Sequence, residues 1–363
     1  MSMKHIWMTV VVLIVVLAGW FSMRPGPDKI IAGQSQRNVN GMTVDTSIDK
    51  PKVLFLNSYH QRYQWCSEKV DGMLKVFKGK LTDPDIVDGF IDNPECLVNL
   101  RIHHMDTKRN PSELFKLQAA QKAKDVIDQW QPDLIIFAED NAAKYVIAPY
   151  YRNSDIPCVF CGINWDAGEY QFSPENVTGM LEVDLIEKTV EVLSKYAKGS
   201  RIGIIGEDNE SNRKSTENYI NKCGLEFEQV YYVKTINEWK AAYLDIQKDV
   251  DMLILEPPCF LLATASDAEK QDARNFVLEN TVIPTGCVEN WIAKYALVCL
   301  SKSSAEHGQW TAKTALRILS GESPKDIPIV ENERVILYLN MPLARKQGYV
   351  FPVEMVEQAV LVN

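Results

Sequence analysis

The sequence has no block of clustered lysine and arginine: 39 basic residues stand against 48 acidic ones, for a formal net charge of −9. Phosphate backbones are bound by clustered cations, so a nucleic-acid partner is excluded. Histidine is scarce, five in the whole chain, and His103 with His104 lacks the i, i+4 spacing of a helical zinc motif. No G-x-S-x-G elbow, P-loop or G-x-G-x-x-G follows a candidate strand, and the run GEDNESN at 206–212 lacks the glycines of a phosphate cradle. These absences leave no catalytic constellation, no metal set and no cofactor motif, so the residues point to binding rather than chemistry. Cys158 and Cys161 do form C-x-x-C, but inside the strand-like run IPCVFCGI, where positions i and i+3 face opposite sides. They read as small buried hydrophobes.

No cysteine precedes Cys66, so nothing near the N-terminus can take a lipid. What stands there is Ile6 to Met23, an apolar run of 18 residues without charge, flanked by Lys4 and Arg24. A run of this length lies between a bilayer span and the apolar core of a cleaved leader. Trp20 and Phe21 spoil the small-residue cleavage site after Ala18-Gly19, which favours an uncleaved signal anchor over a signal peptide. Either address carries the body across a membrane, to a periplasmic or extracytoplasmic location. Residues 24–50 are rich in Pro, Gly, Asn and Ser, lack periodicity and read as a linker. Export permits disulfides, and Cys66 with Cys96 is the pair expected first, both falling in apparent loops.

At 363 residues the chain suits two globular units, and 46% hydrophobic with 24% charged residues excludes global disorder. From Lys52 onward, short apolar runs at 52–57, 86–91, 133–138, 156–163, 201–206, 227–233, 251–256 and 282–287 alternate with helical patterns. The helices are clearest at 113–130, 184–198, 211–222, 236–248, 266–280 and 304–320. Such alternation is the mark of parallel βαβ construction. In the helix at 184–198, Asp184 is positioned to cap and Gly199 to stop it. The strand series divides after Ile163, where SPENVTGML crosses to a second group, so two α/β lobes would enclose a cleft at the carboxyl ends of their strands.

The turns at those strand ends hold the residue types of a polar small-molecule site. They are Ser58, Tyr59, His60 and Trp65 after the first strand, and Asp140 with Asn141 after DLIIFA. Asn164 and Trp165 follow PCVFCGI, Asn209 and Ser211 follow IGIIG, and Glu289 with Asn290 lie in GCVENW. Carboxylates such as Asp140 and Glu289 meet an ammonium, Ser211 and helix N–H groups meet an anion, and Tyr59, Trp65, Trp165 or Trp291 stack on an apolar portion.

The runs SYHQRYQW, VFCGINWDAGEY, SPENVTGM, RIGIIGEDNESN and IPTGCVENW, with the closing pattern of Asn340, Ala344, Gly348 and Pro352, resemble the ABC transporter substrate-binding proteins related to tryptophan- and tyrosine-binding components. The resemblance covers about residues 51–360 and implies a type I periplasmic-binding fold. Lobe 1 is then expected at 51–180 with about 301–328, and lobe 2 at 181–300 with about 329–363, joined by a hinge of crossing strands. It also implies a small amino-acid-like ligand trapped by closure, an ABC permease as partner, no cofactor and no enzymatic activity. Glu139-Asp140-Asn141 departs from the small hydroxyl residues usual at that turn. The alternatives are a membrane-anchored sensor acting through a partner signalling protein and, remotely, an α/β enzyme.

Overall fold

The computed structural model describes residues 50–80, 88–91, 94–258 and 265–363; the apolar run at 6–23, the linker and Cys259 lie outside the described residues. No helix among the described residues is long and apolar enough to cross a membrane. The strands among the described residues are β1 (Lys52–Asn57), β2 (Asp88–Ile91), β3 (Asn99–His104), β4 (Leu134–Ala138), β5 (Cys158–Asn164), β6 (Val177–Glu182), β7 (Ile202–Glu207), β8 (Phe227–Val233), β9 (Met252–Leu255), β10 (Thr285–Cys287), β11 (Val298–Lys302), β12 (Val330–Glu331), β13 (Val335–Asn340) and β14 (Val360–Val362). The α-helices among the described residues are α1 (Gln64–Phe77), α2 (Glu113–Trp130), α3 (Glu139–Ala142), α4 (Ile186–Ser194), α5 (Glu210–Asn221), α6 (Ile236–Ile246), α7 (Asp267–Asn280), α8 (Ser304–Leu319), α9 (Met341–Gln347) and α10 (Val353–Gln358).

Two seven-stranded sheets result, in the orders β12-β6-β5-β4-β1-β3-β2 and β14-β13-β11-β10-β9-β7-β8. Most neighbours are parallel, and their strands are continuous apolar runs because helices cover both faces. The sheets are mixed rather than purely parallel: β2 runs against β3, and β13 against β11. Alternation sorts the first sheet's side chains into two cores. Leu54, Leu56, Phe137, Cys158 and Phe160 face α2, while Val53, Phe55, Ile136, Val159 and Cys161 face α1 and α8. Cys158 and Cys161 thus sit on opposite faces.

Several expectations need correction. The stretch SPENVTGML contains strand β6 of the first sheet and is not merely a crossover. Strand β3 carries Arg101, whose guanidinium lies in a two-pronged pair with Asp88 of β2, at 3.0 and 2.9 Å, and over the Phe90 and Trp130 rings. Its charge hid the strand, which pairs with β1 and β2. Helix α1 begins within the aromatic run read as a turn. Its buried Cys66, Val70, Met73, Leu74 and Phe77 have helical spacing, but Lys69 and Gly72 on the same face interrupt the apolar pattern. Asp184 does not cap α4, whose N-cap is Leu185, and α4 ends at Ser194, before Gly199. Cys66 and Cys96 are both buried free thiols and do not pair.

The chain passes between the sheets three times: after β6, between β11 and α8, and between β12 and β13. Asn332 binds two of these passages together. Its Oδ1 accepts from Val183 N at 2.7 Å and its Nδ2 donates to Val183 O at 3.2 Å. Glu306 at the start of α8 accepts from the backbone N–H groups of Glu333 and Arg334, which joins the other passage.

Candidate functional site

The carboxyl ends of β1, β4, β5 and β6 in the first sheet and of β7, β9, β10 and β11 in the second border one cleft of about 580 Å³. In open α/β sheets this is where ligands lie, because the turns there are free of the sheet's own hydrogen bonding. Two of the turns take unusual backbone. Glu139 after β4 and Trp165 after β5 have φ values of 71° and 57°, sparsely populated for residues with side chains. Such bends swing Glu139 inward and bring Trp165 to the cleft.

Tyr59, Trp65, Asp140, Asn164, Trp165, Asn209, Ser211, Glu289 and Asn290 line the cleft. Ser58, His60 and Asn141 do not line it. Ser58 Oγ donates to Ala138 O and accepts from Ala142 N, both at 2.7 Å, which fixes the end of β4 to α3. Asn141 Nδ2 donates to Thr107 Oγ1 at 2.8 Å. The His60 ring packs near Tyr63, and burial with Arg109 nearby lowers its pKa. Asp140 accepts from Asn164 Nδ2 at 2.7 Å and from the Tyr170 hydroxyl at 2.8 Å. Both bonds come from neutral donors, so its charge stays available. Asn209 is the N-cap of α5 and accepts from Asn212 N, leaving the α5 N-terminus pointing at the cleft beside Ser211 and Lys214.

The residues that sequence reasoning missed are the buried charges. Lys302, at the end of β11, lies 2.5 Å from Asp184, 2.9 Å from Glu289 and 3.3 Å from Glu182. Glu289 Oε2 in turn accepts from Trp291 Nε1 at 3.0 Å, and Asp184 accepts from the Tyr219 hydroxyl at 2.9 Å. Glu256, only 3% exposed at the end of β9, completes the group. Behind the cleft, Lys69 of α1 is fully buried and paired with Glu139. The Trp65 ring lies over both cations, 5.4 Å from Lys69 Nζ and 6.0 Å from Lys302 Nζ, with the His307 ring edge-on at 5.7 Å. One signal was available: Glu182, Glu256 and Lys302 each close an otherwise apolar run, VTGML, MLIL and VCLS.

Burial pushes the Glu182 carboxyl up to about 8, against the pull of Lys302, and burial with Asp184 beside it pushes Glu256 up to about 8 as well. The unfolded chain would hold both near 4.5, so the folded protein binds the extra protons between these values and loses stability as pH rises through them. Each carboxyl contributes at most about 1.4 kcal/mol per pH unit. His104, held neutral by burial with its pKa near 4, acts in the opposite direction only below its ordinary value of 6.5. The thermal midpoint of the ligand-free protein is therefore expected to fall from pH 6.5 to 8, and the slope to flatten in Glu256→Gln. A midpoint that is level or rising over that window would refute the buried protons.

The family described as ABC transporter substrate binding protein matches residues 85–362. Among solved structures, the chain is similar to the ligand-free, open form of CD0873, a substrate binding protein with adhesive properties from Clostridium difficile. That match has 19% identity and a TM-score of 0.63 and covers 86% of this chain and 99% of the other. A Streptococcus pneumonia ABC domain in complex with L-Trp matches with 17% identity and a TM-score of 0.54, over 87% of this chain and 100% of that one. A conserved domain protein from Vibrio cholerae matches with 17% identity and a TM-score of 0.55, over 86% and 99%. No curated protein matches the chain. The two-lobed α/β fold, the cleft at the strand ends and the extent of the family match place this chain in the ABC transporter substrate-binding protein family, as an extracytoplasmic, non-enzymatic protein that holds a small ligand between its lobes.

Proposed function

We propose that the cargo is a small solute carrying an ammonium nitrogen and an apolar or ring-bearing portion, delivered to an ABC permease after the lobes close over it. The observation that carries this reading is the pairing, in one cleft, of an excess of carboxylates with aromatic faces: Asp140, bonded only to neutral donors, and Glu289, which shares Lys302 with Glu182 and Asp184, beside Tyr59, Trp65, Trp165 and Trp291. The ammonium lies on the acidic wall of the cleft, to which Asp140 adds its charge, the ring lies among the indoles, and the α5 N-terminus with Ser211 and Asn209 meets the polar end of the solute. Closure removes water from these groups, so each hydrogen bond and charge contact discriminates more strongly than it would in the open form. The Streptococcus protein in complex with L-Trp is an aromatic amino-acid case of the same fold, which supports an amino-acid-like cargo. The apolar run at 6–23 would hold the protein at the membrane surface, near its permease.

A thermal-shift series on the purified protein tests this with amino acids, amines, nucleobases, sugars and carboxylates. A saturating ammonium-bearing ligand raises stability by mass action, about 2.7 kcal/mol at a hundredfold excess over Kd. Asp140→Asn keeps the bond from Asn164 on its remaining oxygen, reverses the Tyr170 contact so that the new amide donates to the hydroxyl, removes the charge, and is expected to weaken that ligand at least tenfold. Unchanged affinity in Asp140→Asn would remove the ammonium contact. A shift given only by sugars would overturn the cargo class.

A further inference from the structure

We infer that the solute is a net cation, an organic amine or guanidine with more positive than negative groups, and that its cationic nitrogen is received by Glu182 and Glu256. This rests on the reading of the cleft as the solute site and names the class of solute.

The argument starts from charge. Glu182, Asp184, Glu256 and Glu289 gather around a single lysine, Lys302, from the ends of three strands, β6, β9 and β10. Lys302 contacts three of them, and the fourth, Glu256, has no cation against it. Two oxygens are left over: Glu182 Oε2 and Glu256 Oε1 are buried with no hydrogen-bond partner, on residues that are 9% and 3% exposed and border the cleft. A buried carboxylate oxygen without a donor is costly, and structures retain one where a ligand supplies the donor. The rest of the lining is balanced, Glu68 and Asp140 against Lys108 and Lys214 with Glu139 neutralised by Lys69 behind the wall, so the excess of acid is confined to the group around Lys302.

A neutral zwitterion brings one ammonium and one carboxylate and leaves the imbalance as it was. A second cationic nitrogen, or an amine without a carboxylate, corrects it. An inorganic dication is a poor match, because the Lys302 ammonium already stands among the carboxylates and repels it. Burial raises both of these carboxyls to about 8, so without a solute they hold protons at pH 6 and release them at pH 8.5. The groups facing Glu182 are Lys302, Glu139, Lys69 and Glu289; those facing Glu256 are Asp184, Tyr219, Glu289 and Lys302. A bound cation replaces the protons, so affinity for it rises with pH.

The test uses the full chain and pairs that differ in one charge: arginine with citrulline, lysine with norleucine, agmatine with arginine and tryptamine with tryptophan, each titrated by calorimetry at pH 6 and pH 8.5. In at least one pair the more cationic member is expected to bind ten times tighter or more. Its affinity is expected to increase between the two pH values while that of its isostere stays level. Glu256→Gln, a neutral isostere of the protonated group, should keep the thermal midpoint at pH 6 and lose at least tenfold in affinity for the cation. Glu182→Gln provides the same test at the other oxygen. Equal or tighter binding by the less cationic member in every pair that binds would overturn the net-cation assignment and leave the solute-binding reading standing. Saturable stabilisation by calcium or magnesium alone, lost in Glu256→Gln, would also overturn it. No binding by any solute, with the protein folded, would overturn both.

Discussion

Lys69→Met is expected to lower the free energy of unfolding by about 3–5 kcal/mol, the range for removing one partner of a buried ion pair. Lys69 has no exposed surface, and its ammonium is bound to Glu139 Oε1, which is itself almost wholly buried. Burial disfavours the lysine charge, but Glu139 outweighs it and holds the pKa above the ordinary lysine value. Methionine fills a similar volume, so the loss reports the carboxylate left without a counterion rather than a cavity. Combining Lys69→Met with Glu139→Gln removes the stranded charge and should recover much of the stability. Urea denaturation of the two single variants and the double gives the coupling directly. A loss under about 1 kcal/mol in Lys69→Met, the scale of an exposed pair, would show that water reaches Glu139. The Trp65 ring over Lys69 ties this pair to the cleft, and ligand affinity should fall along with stability.

Gly308→Ala is expected to cost about 3 kcal/mol or more, at the upper end for overpacking. Helices α1 and α8 cross with their backbones in contact. A Cβ on Gly308 would stand 1.8 Å from Lys69 O, and one on Gly72 would stand 2.3 Å from Ala305 O. Neither obstacle is the end of a flexible side chain, so the helices themselves must separate. Separation would also disturb the bond from Ser304 Oγ to Trp65 O, and through it the ring that covers both buried lysines. The check is a chemical denaturation midpoint for Gly308→Ala beside one for Gly72→Ala. Near-wild-type stability in both would mean that the crossing can relax at little cost.

The sequence carried much of the architecture in its periodicities. The run KVLFLN is a buried strand over the residues expected, Lys52–Asn57, and the helical pattern at 113–130 ends where the helix does. A continuous apolar run and a 3.6-residue stripe are local properties, set by which faces each segment must hide from water. The strand-end turns followed from the same logic, since alternating strands and helices place every such turn at one edge of a sheet. Strand β6 was taken into a crossover, and the other segments that failed were those whose pattern a charge interrupts. Helix α1 was obscured by Lys69, strand β3 by Arg101, and the true role of Asp184 by its resemblance to a cap.

Each of those charges is tolerated because a partner arrives from elsewhere in the chain: Glu139 lies 70 residues from Lys69, and Asp184 lies 118 residues from Lys302. By itself the sequence determined the kind of elements, their order and the location of a cleft, because hydrophobic burial is additive along a segment and can be read one window at a time. Only the tertiary structure decided which ionisable groups enter the interior, because a buried charge is stable only beside a specific counterion, and that meeting is a property of the folded chain rather than of either segment.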